Sequence, residues 1–194
     1  MKKKHVFLEK RHQLLEPIEL DDKPVTSVTV KPWSAKANID LLPKGDKLTF
    51  DEMCALIEAG TGLNQEQIED LTTQDFNSIF ADVHGYYIHT GYTLADPRSD
   101  DEKFKQRQDT SRYEQDASNN KVVLFFSDER EVMLKRPKIK ITKLAEQFDT
   151  LIEQRIFILT QISGLSQDEV ENLPLPDYRS LNEVVSHFLS SKAA

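Results

Sequence analysis

The feature that most constrains this chain is a second copy of part of itself. Gly62-Leu63-Asn64-Gln65-Glu66-Gln67-Ile68-Glu69-Asp70-Leu71 stands against Gly164-Leu165-Ser166-Gln167-Asp168-Glu169-Val170-Glu171-Asn172-Leu173. Beyond it, Asp75-Phe76, Ser78-Ile79 and Val83 match Asp177-Tyr178, Ser180-Leu181 and Val185, always at an offset of 102. Positions 62–83 and 164–185 share 8 identities in 22, and the exchanges Ile68/Val170, Phe76/Tyr178 and Ile79/Leu181 keep polarity and size. Upstream, Val28-Thr29-Val30-Lys31-Pro32 matches Val132-Met133-Leu134-Lys135-Arg136-Pro137 at an offset of 104 to 105. A repeat seen only twice does not build a solenoid, which needs a stack of copies. It predicts two small related domains.

A polar stretch separates the copies. Between residues 93 and 119 the large apolar residues are Leu94, Phe104 and Tyr113, set among charged side chains from Asp96 to Asp116. Such a segment buries too little apolar area to offset its conformational entropy, so it reads as a linker. The expected organisation is therefore a first unit over 1–92, a linker over 93–119 and a second unit over 120–194. As a flexible coil, a linker of that length spans about 25–30 Å root-mean-square.

Each unit reads alike and predicts an α+β, mainly helical fold: a β-hairpin, then two to three helices. In the first, residues 14–20 and 25–31 flank Asp21-Asp22-Lys23-Pro24, with the β-branched run Val25-Thr26-Ser27-Val28-Thr29-Val30 as the second strand. In the second, residues 121–126 and 131–135 flank Ser127-Asp128-Glu129-Arg130. Pro32 and Pro137 end the second strands, because proline removes a ladder donor. Leu144, Phe148, Leu151, Ile152, Arg155, Ile158, Leu159 and Ile162 keep a helical spacing that predicts one long amphipathic helix over 142–163. In the first unit Pro43-Lys44-Gly45-Asp46 interrupts that region, giving a short helix near 34–42 and another near 49–59. Gly164, and Gly60 or Gly62, stand where a helix C-cap belongs, and Ser166-x-x-Glu169 and Asn64-x-x-Gln67 have the form of capping boxes. A last helix starts at Thr73 in one unit and at Pro176 in the other.

The chemistry the sequence lacks narrows its function. There are 25 Lys and Arg against 33 Asp and Glu, a net charge of −8, which disfavours phosphate or anionic-lipid binding as the main task. No apolar run reaches the roughly 18–20 residues of a bilayer span. The basic start Met1-Lys2-Lys3-Lys4 is followed by only a brief apolar stretch, short of the about 7–15 residues of a secretory h-region. Cys54 is the single cysteine and is expected to be a buried, inert thiol. His84 and His89 lie five apart, the wrong spacing for one helix face, so no metal ligands and no cofactor are expected. No phosphate-binding glycine loop, nucleophile elbow or zincin motif occurs, which points away from an enzyme. The Gly-Leu-Ser-Gln turn at 164–167 offers an alternative, a helix-turn-helix DNA-binding or regulatory protein. Its would-be recognition helices carry Gln65, Glu66, Gln67, Glu69 and Asp70, or Gln167, Asp168, Glu169 and Glu171, and no Lys or Arg.

The hairpin, the Val132-Met133-Leu134-Lys135-Arg136-Pro137 strand end, and Ile162-Ser163-Gly164-Leu165 through Leu173 and Asp177-Tyr178 together resemble the small tail assembly chaperones of tailed phages, the P2 and Mu types among them. Val28 to Pro32 and Thr61-Gly62-Leu63 through Asp75-Phe76 carry the same pattern more weakly. The resemblance implies a non-enzymatic protein of the host cytoplasm, absent from the mature virion. It implies binding of the tape-measure protein, with tail-tube protein as a further partner, and no nucleic acid or membrane. The chain departs from the family pattern in joining two units by an encoded linker, where the family usually has one. A client helix needs exposed apolar side chains. The candidates are Phe50, Met53, Ile57, Phe148, Ile152 and Phe157, with Trp33 as a further docking residue; the alternative is that they are core.

Overall fold

In the computed structural model the described residues are 9–20, 23–38, 41, 47–95 and 119–190. They form two compact units, Met1–His89 and Thr90–Ala194. The fold is α+β and mainly helical, with one antiparallel hairpin in each unit.

In the first unit β1 (Lys10–Leu20) pairs with β2 (Lys23–Val30). Alternation sends Leu14, Ile18, Val28 and Val30 inward. The pairing runs from Lys10↔Val30 to Gln13↔Ser27, is interrupted, and resumes at Ile18↔Val25. Pro17, which has no N–H, lies in that interruption. Helix α1 (Phe50–Thr61) follows, its N-cap Thr49 and Glu52 forming a capping box. Then come α2 (Gln65–Glu69) and α3 (Thr73–Ile88). Leu56, Ile57, Ile68, Ile79, Val83 and Tyr86 close the core against the hairpin. A Cβ on Gly60 would stand 2.9 Å from Val83 Cγ2 and 3.6 Å from Trp33, so the missing side chain lets α1 approach α3. The Gly60 carbonyl also accepts from Lys31 N at 2.9 Å, tying the end of β2 to α1.

The second unit opens with α4 (Gly91–Ala95), then β3 (Asn119–Leu124) and β4 (Arg130–Lys135). Helices α5 (Ile139–Ala145), α6 (Leu151–Ser163), α7 (Gln167–Glu171) and α8 (Leu175–Ser190) complete it. Val122, Leu124, Val132 and Leu134 face inward from the hairpin, and Leu159, Val170, Leu175, Leu181 and Val185 are buried on the helices. Each such aliphatic side chain contributes roughly 1.5–3 kcal/mol on burial.

Three expectations change. Residues 90–95 pack in the second unit instead of closing the first and starting a linker. Gly91 N donates to Ser180 Oγ at 3.0 Å, and the Tyr92 hydroxyl accepts from Val123 N at 2.7 Å. The rest of the linker, 96–118, lies outside the described residues. The long helix expected over 142–163 is two helices, with 146–150 between them. Thr150 starts α6 afresh: its Oγ1 accepts from Glu153 N at 3.2 Å while its N–H donates to Glu153 at 3.0 Å. Near 34–42 the described residues make turns at 35–38 and no helix. There Ala37 N donates to the Ser34 hydroxyl at 3.2 Å, a local bond that competes with helix formation.

Candidate partner-binding surfaces

One device, occurring once in each unit, fixes where the last helix lies. Asp75, in the first turn of α3, accepts from Leu15 N at 3.1 and 3.3 Å, a donor in the interrupted part of the β1–β2 ladder. Asp177, in the first turn of α8, accepts from Phe126 N at 3.1 and 3.2 Å and from Ser127 Oγ at 2.8 Å. Both carboxylates are buried, and both sit at helix N-termini, where the backbone field favours negative charge. Burial nevertheless pushes the Asp177 carboxyl up to about 6, with the Ser127 and Phe126 hydrogen bonds pulling against that rise.

With the helices so placed, the seven candidate residues separate. Trp33 and Ile57 are core: Trp33 stacks on Tyr87 at 6.5 Å and its Nε1 donates to Asn38 Oδ1 at 3.3 Å, while Ile57 is fully buried. Met53, Phe148, Ile152 and Phe157 are half-buried, and Phe50 is 54% exposed. The structure brings Phe148 and Phe157 together at 5.2 Å between ring centres.

Phe50 heads a row of rings. It stacks on Phe76 at 5.3 Å, Phe76 on Phe80 at 6.3 Å and Phe80 on His84 at 5.4 Å; Tyr87 follows at 6.3 Å from His84. Phe76, Phe80 and His84 are half-buried, so the row passes from the surface inward to Tyr87 and Trp33. Burial lowers the pKa of His84 and favours the neutral imidazole, which suits its place among aromatic rings. The four-residue spacing of Phe76, Phe80 and His84 on α3 was the sequence signal for it.

In the second unit the most exposed large apolar side chains were not among the expected ones. Ile139 is 84% exposed, Leu151 74% and Leu144 53%. Leu144 and Leu151 belonged to the apolar stripe of the expected long helix. The break at 146–150 separates them from that stripe, and both remain at the surface.

Cys54 is buried, and burial, with Asp51 and Glu69 nearby, raises its thiol pKa and favours the protonated thiol. Among the described residues no three His, Cys, Asp or Glu side chains gather as a metal site, and no helix is long and apolar enough to cross a membrane. The turn at Gly164 leads into α7, a helix of 5 residues with Asp168 and Glu169 exposed, which is short and acidic for a recognition helix. Comparison with protein families finds that residues 127–190 match the phage tail assembly chaperone proteins, E, or 41 or 14. Neither the curated proteins nor the solved structures yield a significant match.

Proposed function

We propose that this chain, whose residues 127–190 match the phage tail assembly chaperone family, is such a chaperone, and that it binds the tape-measure protein and holds it for tail-tube assembly. The family match is the observation that carries this reading. The surface supports it: a helix-rich client offers apolar stripes, and each unit presents apolar side chains suited to receive one. In the first unit these are Phe50, Met53 and the outer rings of the α3 row. In the second they are Phe148, Ile152, Phe157 and the exposed leucines beside them.

On this reading the protein acts without catalysis, in the host cytoplasm, and is left out of the mature virion. The repeat represents an internal duplication, and the second unit supplies a second hold on one long client. Linking two weak contacts raises the effective concentration of the second. Tail-tube protein is the further partner.

The test is affinity purification of the full chain from cells that also express the tail genes of its phage, with bound proteins identified by mass spectrometry. Recovery of the tape-measure protein, reduced in a Phe50→Ser/Phe148→Ser double variant that still folds by circular dichroism, is the expected result. Recovery of nuclease-sensitive DNA complexes instead would overturn it.

A further inference from the structure

We infer that α5, with the first turn of α6, is a docking face for an acidic amphipathic helix, and so selects which part of the client the second unit holds; this rests on the function proposed above. The chain carries −8 overall, yet residues 132–145 contain Lys135, Arg136, Lys138, Lys140 and Lys143 and no acidic side chain. By the helical period, Ile139, Lys140, Lys143 and Leu144 share one side of α5, and Ile141, Thr142 and Ala145 the other. Exposure follows that division: the first four are exposed, Ala145 is buried, and Ile141 and Thr142 are half-buried. Two lysines are thus flanked by two bare apolar side chains, and Leu151, which opens the next helix, is exposed as well.

Lys138, Lys140 and Lys143 have no carboxylate partner among the described residues, whereas Lys121 pairs with Glu131 at 2.5 Å and Arg130 with Glu169 at 2.9 Å. Charge complementarity therefore selects an anionic occupant. Exposed Ile139, Leu144 and Leu151 select one with an apolar stripe beside the charge, which a phosphate backbone lacks. The face of α5 is also short, suited to a few turns of a crossing helix and not to insertion along a membrane surface.

The experiment uses the full chain and two labelled synthetic amphipathic helices, each with leucines on one face. One carries glutamates on the other face, its twin lysines. Fluorescence anisotropy is expected to show tighter binding of the glutamate peptide, weakened by added salt. Lys138→Glu/Lys140→Glu/Lys143→Glu should weaken it by about ten-fold or more and narrow the preference. Ile139→Ser/Leu144→Ser should weaken both peptides. Circular dichroism melts check that each variant folds; these side chains are exposed, so unchanged melts are expected. Equal affinity for the two peptides overturns the inference, as does binding of anionic vesicles or duplex DNA without the glutamate peptide. The tape-measure protein is tested in parallel. If it binds the wild type and the triple-glutamate variant equally, this inference falls alone. If it binds neither while the glutamate preference persists, the proposed function falls and this face stands.

Discussion

Asp177 shows how a single side chain links sequence to placement. It was legible only as a repeated residue, matched with Asp75, and nothing in the sequence marked it as the acceptor for a hairpin N–H. Its buried carboxyl titrates near 6, above the ordinary value of 3.8. The folded state therefore holds a proton that the unfolded chain releases. This group's contribution to stability is fully present below about pH 3.8 and is lost as pH rises to about 6. Asp177→Asn should remove that component, seen as a flatter difference in denaturation midpoint between wild type and variant above pH 6 than between pH 4 and 6. Asp177→Ala should cost about 1–3 kcal/mol, because Phe126 N–H and Ser127 lose a buried acceptor. The seven candidate partner residues separate on the same scale. Trp33→Ala and Ile57→Ala should each cost about 2–5 kcal/mol in urea melts. Phe50→Ser should cost about 1 kcal/mol or less, since only its ring stack is lost. Helical spacing placed these residues on faces, but exposure depends on what each face meets, which spacing does not encode.

At the scale of elements, most of the fold was legible because its punctuation is local. Gly62 and Gly164 adopt φ of 79° and 75° and end α1 and α6 in the left-handed region. Asn64 and Ser166 start the next helices with full capping boxes. Gly164→Ala should cost about 1 kcal/mol and lower the melting temperature, a loss that Gly164→Asn only partly incurs. Thr150→Ala should cost a similar amount by removing the α6 cap. That cap is also where periodicity misled. The apolar spacing across 142–163 is nearly continuous, and the Asp149-Thr150-x-x-Glu153 cap signal inside it outweighs the period. A single helix over 142–163 would bury Leu144 and Leu151 in its apolar stripe; the break leaves both exposed beside the basic face of α5.

For the whole molecule, the division falls at 89/90 and not at the polar segment, because Gly91 and Tyr92 are hydrogen-bonded into the second unit. Composition alone does not say which unit keeps residues 90–95. A fragment of residues 90–194 should therefore fold with slower amide exchange in β3 and α8 than one of residues 96–194, which lacks α4. The order hairpin, capped helix, short capped helix, Asp-anchored helix occurs in both units, and the second is the part that matches the chaperone family. We propose that this chain keeps a tape-measure protein soluble by holding it. The most direct measurement is the soluble yield of the tape-measure protein, expressed with and without the full chain, followed by size-exclusion chromatography. A marked rise in soluble tape-measure protein, eluting with the chain as one complex, is the expected result. Equal aggregation in both cultures, with the chain eluting alone, would contradict it.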